Sequence, residues 1–143
     1  DYESGRLWVL GEDRLMVLDP GQGTVTGEYT LGRNYLKGCS LGGDGFAVLL
    51  LGRYRAGSAS HLVTVGSDGA QLATMDISSP ILDFDAAGRY ISALSGDALT
   101  IFTSDLIPYS TLDETQNARY ISLTDSGAAL LANSQQAWLY LPS

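Results

Sequence analysis

At 143 residues and 15.2 kDa, the chain fits one domain with a core large enough to need neither disulfides nor metals. Its one cysteine, Cys39, excludes an internal bridge, and one cysteine beside one histidine excludes a Cys/His zinc site. A formal charge of −8 repels phosphate backbones, which sets nucleic acid aside as a partner of the domain as a whole, and the longest apolar run, Phe46 to Leu51, is far shorter than the ~20 residues of a membrane helix, so this segment is expected not to insert.

In chain order, short segments rich in β-branched and aromatic residues alternate with Gly, Asp and Ser. Arg6 to Leu10, Leu15 to Leu18 and Thr24 to Tyr29 come first. The glycines Gly21, Gly23 and Gly27 imitate a dinucleotide loop. Their spacing is G-x-G-x-x-x-G, however, and a strand follows where a helix is required. Next come the apolar run ending at Leu51, an insertion over Gly52 to Ser60, and His61 to Val65. The third group runs Ile81 to Asp85, Tyr90 to Ser95, Ala98 to Thr103 and Tyr109 to Leu112, and a last group ends with Ala137 to Leu141. No stretch of ten residues places apolar side chains at i, i+3, i+4 and i+7, so the fold class is all-β.

A repeat overrides these local readings. Each of three segments reads strand, glycine turn, strand, and their turn glycines Gly45, Gly88 and Gly127 lie 43 and 39 residues apart. Strands centred on Leu18, Val65, Phe102 and Tyr140 are separated by 47, 37 and 38 residues, with the insertion inside the longest gap. A forty-residue unit of four short strands resembles a blade of a β-propeller, of the WD-like or quinoprotein-like kind seen in uncharacterised bacterial propeller domains. The Gly-His and Trp-Asp signatures of true WD repeats are missing. By that resemblance, the chain is a single partial propeller domain with units at about 1–35, 36–79, 80–117 and 118–143, and an extracytoplasmic bacterial setting is implied only by analogy. A β-sandwich of carbohydrate-binding type has similar strand density but no such period.

The first unit reads as starting at strand B and the last as stopping after strand C. That gives 14 strands, about three and a half blades. Open blade faces expose apolar area and unpaired strand edges. The expected partners are therefore the remainder of a longer propeller, this chain being its C-terminal piece, or a second copy completing a paired ring.

The resemblance also sorts the loops. D-to-A and B-to-C connections share one face, and A-to-B and C-to-D turns share the other. On the first face fall Arg33, Asn34 and Tyr35, Lys37 just inside, and Arg53, Tyr54 and Arg55 on the insertion, with Arg14 near a hairpin tip. Guanidinium groups beside aromatic rings suit an acidic ligand, so these seven residues from Arg33 to Arg55 are the candidate site, for a small acidic ligand or another protein. On the opposite face, Asp19, Asp44, Asp68, Asp85, Asp105 and Asp125 are expected to serve their turns.

Catalytic signals are poor. His61 follows Ser58-Ala59-Ser60 without a Gly-x-Ser-x-Gly elbow, and pairs such as Glu12-Asp13 and Asp113-Glu114 sit in turn-like settings. Cys39 is expected to be a small buried apolar residue. The stretch DFDAAGRYISAL, Asp83 to Leu94, begins like a calcium loop, but Ala87 stands where the next oxygen ligand belongs. No catalytic residue, metal or cofactor is assigned. The expected function is a non-catalytic binding or protein-interaction scaffold, the alternative being part of a propeller lyase or glycosidase whose catalytic residues lie in other blades.

Overall fold

The computed structural model describes residues 1–143, and every regular element in it is a strand. Four antiparallel sheets follow one another along the chain. The first holds β1 (Tyr2–Glu3), β2 (Arg6–Leu10), β3 (Arg14–Asp19) and β4 (Thr24–Thr30). The second holds β5 (Tyr35–Gly43), β6 (Phe46–Gly52), β7 (His61–Gly66) and β8 (Gln71–Asp76). The third holds β9 (Ile81–Ala87), β10 (Tyr90–Ser95), β11 (Ala98–Thr103) and β12 (Pro108–Asp113). The fourth has three strands, β13 (Tyr120–Leu123), β14 (Ala129–Ala132) and β15 (Ala137–Tyr140). Each sheet is a meander in sequence order, and the first strands of neighbouring sheets lie side by side, β5 against β9 and β9 against β13. These are propeller blades, with strands A to D running outward from a common axis.

The repeat markers behave as the period requires. Gly45, Gly88 and Gly127 take φ of 73°, 56° and 87°, the left-handed backbone that a tight hairpin uses and that glycine enters without a Cβ clash. One expectation needs correction. The structure has fifteen strands, not fourteen, because the first blade begins with a two-residue strand A, β1, too short to show any alternation.

The blades are held by apolar cores between sheets. Trp8, Leu15 and Val17 of the first blade meet Leu49, Leu51 and Val63 of the second. Val48, Leu50 and Leu62 on the other side of the second meet Ile91 and Phe102 of the third, and Leu94, Leu99 and Ile101 of the third meet Ile121 and Leu131 of the fourth. This explains why β6 is buried at all seven positions: its sheet is covered on both faces. The first and fourth blades are covered on one face only, which leaves Leu7, Val9, Leu130 and Leu139 exposed.

Polar side chains lock neighbouring innermost strands together. Asp83 and Asp85 both project from β9 toward β13, where Asp83 Oδ2 accepts the Ile121 amide and Asp85 Oδ2 accepts the Leu123 amide, each at 2.8 Å. The Ser40 hydroxyl on β5 likewise accepts the Ala86 amide of β9 at 2.9 Å and donates to Asp85 Oδ1 at 3.3 Å. Asp85 is thus a strand residue bridging three blades, and not the turn residue expected. Cys39 also departs from expectation: it is exposed on β5, and partial burial raises its thiol pKa, which disfavours the thiolate.

Candidate functional site

The candidate residues sit where β4 of the first blade passes to β5 of the second. Leu31, almost fully buried, anchors this connection in the first interblade core, and its amide donates to the Asp13 carbonyl at 2.9 Å. Gly32 then takes φ 64°, and the Asn34 amide closes back on the Leu31 carbonyl at 3.1 Å. The β2–β3 turn, closed by the Gly11 amide on the Arg14 carbonyl at 2.8 Å, therefore stands directly beside Arg33, Asn34 and Tyr35. Together with Leu36 and Arg55, these two loops wall a groove of about 780 Å³.

Of the seven candidates, the groove brings together Arg33, Asn34, Tyr35 and Arg55. The Arg55 guanidinium lies 5.9 Å from the centre of the Tyr35 ring, within cation–π range. Lys37 stands outside the groove and turns its ammonium to the Arg55 carbonyl at 2.7 Å, so it fixes the insertion that carries Arg55. Arg53 and Tyr54 ride on the same insertion, exposed, and do not line the groove.

The charges in and beside the groove are unequal in freedom. Arg14 is occupied: Nη1 binds Glu28 Oε1 at 2.8 Å, while Nε and Nη2 grip the Asp13 carboxylate at 3.2 and 3.1 Å. That hydrogen bonding lowers the Asp13 pKa and, reciprocally, raises that of Arg14. Arg33, Arg53 and Arg55 have no carboxylate within ion-pair distance; among the basic residues only Arg6 and Arg14 do. The acidic wall, Glu12 and Asp13, escaped the sequence reading as part of this site, although both loops had been assignable to one face.

The Ser60 hydroxyl lies 2.7 Å from His61 Nδ1 and 3.3 Å from the Leu51 carbonyl, where the insertion rejoins the second blade at the start of β7.

No protein-family model matches the sequence, and no curated protein is similar to it. Among solved structures, the chain is similar to the crystal structure of HIRA(644-1017), with 18% identity and a TM-score of 0.64, over 94% of this chain and 44% of that one. It is also similar to a protein of unknown function from Bacteroides caccae, with 10% identity and a TM-score of 0.50, over 88% of this chain and 49% of that one. At these identities the likeness is one of fold, and it agrees with the blade arrangement. The chain spans under half the length of these two solved chains.

Proposed function

We propose that the chain is a non-catalytic binding scaffold, part of a larger propeller ring, whose groove between the first two blades takes an acidic segment of a partner protein. The observation that carries this reading is the pair Arg33 and Arg55 in the groove, free of ion pairs and beside Tyr35, with Arg53 and Tyr54 exposed on the same insertion, on a chain whose overall charge is −8. Tyr and Arg are the residue types that dominate protein-binding hot spots, and the exposed Tyr54 ring on an open rim suits a broad partner better than an enclosed small ligand.

The net charge does not defeat such binding. Strands of six residues span about 20 Å, so the turn acids of the opposite face lie roughly two Debye lengths away at physiological salt. Glu12 and Asp13 are the acids that line the groove, and Asp13 is paired with Arg14, which also binds Glu28. A hexaglutamate peptide titrated calorimetrically at low salt is expected to bind the chain, and the double variant Arg33→Ala, Arg55→Ala to bind at least about tenfold more weakly. Equal affinity for both proteins would overturn the proposal.

A further inference from the structure

The two walls of the groove carry opposite charge. Arg33 and Arg55 stand on one, and Glu12 and Asp13 on the other. Asp13 is already engaged by Arg14, which grips its carboxylate through Nε and Nη2. Glu12 is exposed and belongs to none of the chain's ion pairs. The groove therefore offers a ligand two unpaired guanidinium groups on one wall and one unpaired carboxylate on the other.

Backbone contacts keep these charges in place without letting them pair. Glu12 lies in the β2–β3 turn, whose Gly11 amide bonds the Arg14 carbonyl at 2.8 Å, and the Asp13 carbonyl beside it accepts the Leu31 amide at 2.9 Å. That second bond ties the turn to the connection carrying Arg33, while the Lys37 ammonium holds the Arg55 carbonyl. Neither guanidinium comes within ion-pair distance of Glu12. Opposite charges fixed along one groove but out of mutual reach each favour a complementary charge on the ligand. A purely acidic segment satisfies Arg33 and Arg55 but sets a carboxylate against Glu12, and like charges so placed weaken binding.

We infer that the groove reads a partner segment of mixed charge: acidic residues on Arg33 and Arg55, and a lysine or arginine at one end of them on Glu12, which sets the specificity. This rests on the acidic-segment reading of the groove and adds the order of charges within that segment. The Glu12 carboxylate suits an ammonium as a point charge or a guanidinium held through two hydrogen bonds. Because Glu12 is exposed, its effect is that of a surface ion pair, about threefold in affinity.

Calorimetry at low salt with three capped peptides tests this: hexaglutamate, lysine followed by five glutamates, and five glutamates followed by lysine. The better of the two mixed peptides is expected to bind about threefold more tightly than hexaglutamate, although it brings less negative charge to Arg33 and Arg55. Glu12→Gln is expected to abolish that preference, because hexaglutamate then meets no like charge. Asp105→Asn removes the same charge from an exposed position in the β11–β12 turn on the opposite face, and the preference is expected to survive it. That control separates a contact at Glu12 from relief of the chain's overall negative charge. The inference is overturned if neither mixed peptide binds more tightly than hexaglutamate, if the preference persists in Glu12→Gln, or if both variants lose it equally. In each of those cases, hexaglutamate binding that still weakens on Arg33→Ala with Arg55→Ala leaves the acidic-segment reading standing, whereas binding indifferent to that double change is the failure of that reading instead.

Discussion

The two faces of the blade array use their charges in opposite ways. On the face of the A–B and C–D turns, Asp19 accepts the Gly21 and Gln22 amides at 2.9 and 3.3 Å and pairs with Arg6 at 3.5 Å, Asp68 accepts the Ala70 amide at 3.0 Å, and Asp44 accepts the Ser4 hydroxyl at 3.3 Å. Asp19 and Asp68 hold their own turns in shape, and Asp44 ties its turn to that of the first blade. In the groove on the other face, Arg33 and Arg55 bond to no acid at all, and the loops that carry them are set by Leu31, Gly32 and Lys37. Charge consumed by local structure has little left for a ligand; charge held in place by something else is available. The contrast supports the groove as the proposed binding site.

Substitutions should separate the two roles. The largest effect on stability is expected inside the array, at Asp85→Ala, which strips the Leu123 amide of its acceptor and removes the bridge to Ser40. About 2 kcal/mol should be lost, read as a lower denaturant midpoint at unchanged m-value. Asp19→Ala should cost about 1 kcal/mol, because the turn amides it releases are exposed to water, and it should leave peptide binding unaltered. Arg33→Ala with Arg55→Ala should show the converse, a stability change within about 0.5 kcal/mol and a loss of binding.

The smallest effect is one of pH. Asp97 accepts the Thr115 hydroxyl at 2.7 Å and the Asn117 amide at 3.2 Å, and these bonds hold its pKa below the usual carboxylate value. A lowered folded pKa stabilises the folded state above the unfolded value, and that stabilisation is lost as pH falls through the folded one. The connection from β12 to β13 should therefore loosen below about pH 4, seen as faster exchange of the Asn117 amide, and Asp97→Asn should remove this pH dependence.

Much of this arrangement could be read from the residues. The period was legible because a hairpin turn demands a left-handed backbone, and Gly45, Gly88 and Gly127 mark that demand in the sequence itself. The third blade was legible almost strand by strand, since its apolar alternation is bounded by turns on every side. What stayed hidden depends on partners far along the chain. Asp83 and Asp85 cap amides 38 residues away, so no local pattern distinguishes them from turn acids or broken calcium ligands. Gly27, one of three glycines resembling a nucleotide loop, is needed because a Cβ there would strike the Asp68–Gly69 backbone of the next blade. In the groove, the basic wall stood out against an acidic chain, whereas Glu12 and Asp13 did not, being two acids among sixteen.

The claim that free charge in the groove, rather than the acidic turns, does the binding is tested most directly by mapping backbone amide shifts while hexaglutamate is added. Saturable changes are expected at residues 10–13, 32–36 and 53–55, with none at Asp19, Asp44 or Asp68. Shifts spread evenly over both faces, or confined to the turn side, would contradict it.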